Sequence, residues 1–187
     1  MRSVFHELPA ASAGTQRRVR SLHFGRGDSG RKAYLHAALH ADEVPPMLVA
    51  QALIERLSAL DAAHAIAGEI VLVPLTPPLG LAQDIQGSAF GRFALGTGVN
   101  FNRQFRHLTA ALIPIVEPLL GADVTANTLT VRAACRQLLA AWQPMSEAEA
   151  LKRILQTLAM DADLVLDLHC DNQAVMRVYT GTPQIDA

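Results

Sequence analysis

The chain has 187 residues, half of them hydrophobic, and a formal net charge of -1. That length suits one domain with a sizeable core, and near-neutral charge disfavours nucleic acid or another polyanion as a partner. No apolar run is long enough to span a membrane, and Met1 to Ala10, which contains His6 and Glu7, lacks a signal-peptide core.

Two lone cysteines, Cys135 and Cys170, make no disulfide framework and suit a reducing compartment. The cytoplasm is the expected location. Residues 16–24 and 32–39 read as strands around a Gly-rich turn, Gly25-Arg26-Gly27-Asp28-Ser29-Gly30. The basic residues Arg17, Arg18, Arg20, Arg26, Arg31 and Lys32 then form the solvated face of a hairpin. Lys32 to Leu39 is nearly all apolar, as expected of a strand buried on both faces.

Pro45 and Pro46 sit where a helix can begin. Ala50, Leu53, Ile54, Leu57 and Leu60 continue it at helical spacing to about Asp61. Glu69 to Leu75 is a third strand, closed by Thr76-Pro77-Pro78. Residues 80–103 read as a long loop, a feature often functional in a compact domain. Helical regions follow at about 104–119 and 126–142, the first kinked or broken by Pro114 and Pro118.

Ser146 and Glu149 form a capping box, and Leu151, Ile154, Leu155 and Leu158 mark the face of the helix it starts. Asp163 to Leu168 is a buried strand and Ala174 to Tyr179 another. Strands alternating with helices predict an α/β fold: a mixed, largely parallel sheet flanked by helices on both faces. Sites in such sheets gather beyond the carboxyl ends of the strands. His40 and His169 each lie just past a predicted strand.

His40-Ala41-Asp42-Glu43 and Asp167-Leu168-His169 look like halves of one metal site. A catalytic zinc takes three protein ligands and keeps one open position. His40, Glu43 and His169 supply such a set. Spacing alone leaves a second reading equally open, in which His40 and Glu43 merely cap the following helix. His36 and His40 are four residues apart, which on a strand is roughly 13 Å. His36 is therefore a core histidine and not a ligand. Asp167 lies on the same strand face as His169 and is read as orienting it or as a partly solvated strand-end carboxylate. His6, His23, His64 and His107 have no partner pattern.

In Gly98-Val99-Asn100-Phe101-Asn102-Arg103-Gln104-Phe105, the Asn102-Arg103 pair can hold a carboxylate through a guanidinium fork and an amide donor. Taken in order, His40-x-x-Glu43, Asn102-Arg103 and the distant His169 resemble the succinylglutamate desuccinylase/aspartoacylase family. The resemblance runs from about residue 16 to the C-terminus. It implies a zinc carboxypeptidase-like, three-layer α/β/α fold. It also implies one zinc per chain on His40, Glu43 and His169, a substrate-carboxylate clamp of Asn102 and Arg103, and Arg92 as the arginine that polarises the scissile carbonyl. The implied activity is hydrolysis of an N-acyl amino acid or similar small amide. A carboxypeptidase and a non-catalytic metal-binding fragment are the alternatives.

Two departures stand out. Thr76-Pro77-Pro78 replaces the family's frequent Asn-Pro after the third strand. The family's late glutamate, its general base, has no counterpart after His169, where only Asp171 and Asp186 are acidic. The chain is therefore read as one domain, residues 1–187, forming the N-terminal catalytic portion of a longer enzyme.

Overall fold

The computed structural model describes residues 1–28, 30–171 and 175–181. In chain order the first elements are β1 (Arg2–Glu7), β2 (Arg18–Gly25), β3 (Lys32–Ala37), α1 (Val44–Ala62) and β4 (Glu69–Val73). Next come α2 (Pro78–Leu81) and the short strands β5 (Asp84–Ile85), β6 (Ser88–Ala89), β7 (Phe93–Ala94) and β8 (Val99–Asn100). The chain continues through α3 (Thr109–Val116), α4 (Val124–Ala141), α5 (Glu147–Ala159) and β9 (Leu164–Leu168).

One mixed sheet of five strands runs in the order β1-β2-β4-β3-β9. β1, β2 and β4 pair antiparallel, whereas β4, β3 and β9 pair parallel. Alternation along the strands sends side chains to two faces. Leu22, Phe24, Ala37 and Leu72 pack against Ala50 and Leu57 of α1. Val19, Tyr34, Val71 and Val73 pack on the other face against Leu151 and Leu155 of α5. Each such large buried side chain contributes roughly 1.5–3 kcal/mol. Among the described residues, no helix is long and apolar enough to cross a membrane.

Several expectations need correction. β2 and β3 do not form a hairpin with each other, because β4 lies between them. The antiparallel partner of β2 on its outer side is β1, which carries no clear apolar alternation and was not anticipated. The basic residues there are engaged: Arg17 binds Glu147, and the Arg18 guanidinium lies 3.9 Å over the Phe5 ring. Ser29 of the Gly-rich turn is outside the described residues. Residues 80–103 are not plain loop. They fold into two small hairpins, β5-β6 and β7-β8.

Pro114 sits inside α3 without ending it. The helix is short and passes into a 3-10 turn at Glu117–Leu119, which holds Pro118. At the start of α5, Ser146 Oγ accepts the Glu149 N–H as expected, but the Glu149 carboxylate accepts from Met145 N–H instead of closing a reciprocal box. β9 has the composition of a buried strand, yet Leu164, Val165 and Leu166 are 53%, 50% and 38% exposed. It pairs with β3 on one side and stands at the sheet edge among the described residues. Residues 175–180 form no strand. Ala174 and Asp186 lie outside the described residues.

Candidate metal centre

β3 and β9 are parallel neighbours in register, Ala37 opposite Leu168. Their carboxyl ends therefore emerge side by side, and the chain beyond each carries a histidine. After β3, Ala38 adopts φ 61°, a left-handed conformation that costs a residue with a Cβ about 1 kcal/mol. This turn brings Leu39 into the core, 0% exposed, and sets His40 over the sheet end. Glu43 occupies the N-cap position of α1 but its side chain makes no capping bond. The helix-cap reading of His40 and Glu43 is thus not what the geometry shows.

The Glu43 carboxylate instead lies between two imidazoles. Its Oε1 is 2.8 Å from His40 Nδ1 and its Oε2 is 3.0 Å from His169 Nδ1. Donor atoms from His40, Glu43 and His169 all lie within 4.8 Å of one another. His40 and Glu43 are buried, and the His169 side chain is 27% exposed. Burial opposes the charge on Glu43. The Cys170 N–H at 2.8 Å and the two imidazoles outweigh it and hold the carboxyl below its usual range.

The outer nitrogens are also engaged. His40 Nε2 is 2.9 Å from Asn100 Oδ1, an oxygen that also accepts the Asn102 N–H at 2.8 Å. His169 Nε2 is 2.9 Å from Asp167 Oδ1. Both nitrogens of both rings therefore face oxygen acceptors. A neutral imidazole donates from one nitrogen only. With Nε2–H given to Asn100, the His40 Nδ1 lone pair points at the Glu43 carboxylate, and His169 Nδ1 does the same when its Nε2–H goes to Asp167 and not when its Nε2 accepts from the Asn102 amide at 3.1 Å. A cation shared by the two Nδ1 atoms and Glu43 resolves that conflict, and two imidazoles with one carboxylate is a donor set that suits zinc. The residues present fit the metal.

Asp167 is tied on both sides: the same Oδ1 lies 2.9 Å from His36 Nε2, directly across the β3-β9 pair. Burial opposes its ionisation, but the His169 and His36 rings hold its carboxyl well below the usual range. In return Asp167 raises the pKa of His169. His36 is a buried sheet histidine, as its strand position predicts. Its role is to face the carboxylate that faces the candidate ligand. Replacing Asp167 by Asn is expected to weaken zinc affinity roughly 10–100-fold, the usual effect of losing such an outer partner. Competition against a chromophoric chelator measures it, and unchanged affinity would show that His169 is oriented without Asp167.

Arg92 reaches the same cluster. Its Nη2 donates to Glu43 Oε1 at 2.8 Å, and the side chain is 42% exposed. Asn102 and Arg103 sit at the rim: the Asn102 amide is 3.1 Å from His169 Nε2, and Arg103 Nη1 donates to the Asn102 carbonyl at 2.7 Å. Phe101, fully buried, anchors the segment, so Asn100 and Asn102 on either side of it face His40 and His169. Sequence reading missed Asn100, although the Asn-Phe-Asn alternation carried the signal. It also missed Gly91, whose backbone packs against Ala41 and Asp42.

The sequence profile of the succinylglutamate desuccinylase/aspartoacylase catalytic domain matches residues 29–112. The resemblance to that family is borne out. The matched stretch holds His40, Glu43, Arg92, Asn102 and Arg103, and His169 lies beyond it. No curated protein sequence matches the chain.

Among solved structures, a protein described as of this family from Shewanella amazonensis superposes with a TM-score of 0.77 at 26% identity, over 91% of this chain and 47% of that one. A similarly described protein from Shewanella frigidimarina gives 0.76 at 24% identity, over 90% and 46%. The product-bound ectoine utilization protein from Ruegeria pomeroyi gives 0.53 at 19% identity, over 87% and 37%. The chain thus spans less than half the length of these structures. They share its α/β fold of a mixed sheet with helices.

Proposed function

We propose that this chain carries the metal half of the active site of a zinc-dependent hydrolase that removes the acyl group from an N-acyl amino acid or a similar small carboxylate-bearing amide. The observation that carries the proposal is the convergence of His40 Nδ1, His169 Nδ1 and Glu43, with both Nε2 atoms already held by oxygen acceptors. Bound there, zinc would polarise the scissile carbonyl and acidify the attacking water.

This chain's own residues do the rest of the positioning. Asn100 and Asp167 fix the ring orientation of His40 and His169. Arg92, already against Glu43, offers its remaining guanidinium donors to the carbonyl oxygen as charge develops on it. Asn102 and Arg103, on the rim, clamp the substrate carboxylate and set its distance from the carbonyl. Asp171 is paired with Arg177 at 2.8 Å and stands too close to the ligand in sequence to replace the family's glutamate. The two free cysteines fit a cytoplasmic setting.

Zinc content and turnover test this reading together. Protein purified without chelator should hold about one zinc per chain. N-acyl amino acids and short peptides are then assayed side by side on the chain and on any longer natural form. Deacylation without peptide trimming is expected where the complete enzyme is assayed. Peptide turnover without deacylation would replace the proposal by a carboxypeptidase, and zinc without any turnover by a metal-binding module.

A further inference from the structure

A second polar site lies across the Asn100–Gln104 segment from the candidate metal centre. The N-terminus of α5 opens onto a cavity of about 340 Å³ lined by Gln104, Arg106, Trp142, Ser146, Glu149 and Lys152. Lys152 is only 2% exposed. Among the described residues its ammonium makes no hydrogen bond or ion pair, and it keeps access to the cavity from an otherwise buried stem. Its pKa is lowered by that burial, with Glu149 acting in the opposite direction from beyond ion-pair distance.

Among the described residues, Arg106 presents a second cation without a carboxylate partner. Its guanidinium lies 5.3 Å over the Trp142 ring, while its backbone N–H and carbonyl are taken by Gln156. The carboxylate on the cavity wall, Glu149, is occupied by the Met145 N–H at 2.8 Å. Lys152 and Arg106 against Glu149 leave one net positive charge. The first turn of a thirteen-residue helix adds the positive end of its dipole.

We propose that this cavity binds a small oxyanion, the carboxylate or phosphate group of a metabolite, between Lys152 and Arg106. The anion supplies the counter-charge that the Lys152 ammonium lacks among the described residues. Trp142 beside it accommodates the apolar or flat part of the molecule that carries the group. The site is separate from the metal centre: Asn100 and Asn102 face the histidines, whereas Val99 and Gln104 line the cavity.

Thermal unfolding and calorimetric titration with inorganic phosphate, with acetate and with chloride at constant ionic strength test the proposal. Phosphate, acetate or both should raise Tm saturably beyond the chloride control. A response to one of the two identifies which oxyanion chemistry the site takes. Lys152→Met removes the charge at nearly constant volume, so it should fold at least as well as the wild type, checked by circular dichroism. Its affinity for the responding anion should fall about tenfold or more. Glu149→Gln should tighten binding. His40→Ala, which disables the metal centre, should respond as the wild type does. Absence of any anion-specific shift, or an undiminished response in Lys152→Met, would overturn the proposal. So would loss of the response in His40→Ala, because the anion would then sit at the metal.

Discussion

Replacing Glu43 by Gln is expected to remove zinc from the protein while leaving it folded. The change keeps the shape of the side chain and one oxygen for the Cys170 N–H, which donates to Glu43 Oε2 at 2.8 Å. It removes the negative charge that lies between His40 Nδ1 and His169 Nδ1. A three-ligand site reduced to two imidazoles loses both a ligand and the charge that balances the ion. The loss should exceed the roughly 10–100-fold expected when only an outer partner is removed. Metal analysis after gel filtration should fall from about one zinc per chain to near none. Full zinc at unchanged affinity would remove Glu43 from the ligand set. The freed Arg92 guanidinium loses its Glu43 partner as well, so a modest change in Tm is expected alongside.

Gly91→Ala is expected to damage the same centre from behind. A Cβ on Gly91 would lie 2.3 Å from Asp42 N and 2.6 Å from the Ala41 carbonyl carbon, both backbone atoms. The Ala41 N–H also donates to the Gly91 carbonyl at 3.0 Å, which holds the two segments in contact. Nothing flexible is available to yield, so the His40–Glu43 loop itself must shift. Overpacking of this kind costs about 1–3 kcal/mol, and in a chain of this size each kcal/mol lowers Tm by roughly 2–4 °C. Displacing His40 and Glu43 by even a few tenths of an ångström should also weaken zinc binding. Gly96→Ala is the matched control, since a Cβ there meets nothing within 4 Å. A Gly91→Ala protein with the stability and zinc affinity of the Gly96→Ala protein would show that the close approach does not govern the site.

The candidate site was largely legible before the fold was seen, for a topological reason. His40 and His169 each follow a run of apolar residues, and runs of that kind become parallel neighbours buried in an α/β sheet. Once β3 and β9 pair in register, their carboxyl ends must lie together, and the residues just beyond them meet. Local spacing could not choose between a metal ligand and a helix cap for Glu43. The direction of its carboxylate, away from the first turn of α1 and toward two rings more than a hundred residues apart in sequence, removes the cap and places it in the candidate cluster.

The neighbours of the site were harder to read because their partners are distant in sequence. Asn100 means little until His40 lies 2.9 Å away. Gly91 looks like an ordinary loop glycine until the loop after β3 packs onto it. Lys152, on a helix whose apolar spacing is plain, gives no sign that its side chain will be largely buried with no ion-pair partner among the described residues.

Strand pairing shows the same division. Alternation and composition identified β2, β3, β4 and β9 one by one, because a side chain's preference for a pleated, half-buried surface is local. Which strands lie side by side depends on contacts between remote segments. β4 therefore inserts between β2 and β3, where a hairpin had been expected, and the apolar β9 stands at an exposed edge of the described sheet. By itself the sequence determined the longer strands and helices, the candidate ligand types and the carboxyl-end positions of His40 and His169, all set by short-range periodicity and residue chemistry, but not β1, the small hairpins or the chain after His169. Only the tertiary structure decided which oxygen faces which nitrogen, because those choices belong to side chains brought together by pairing across the whole chain.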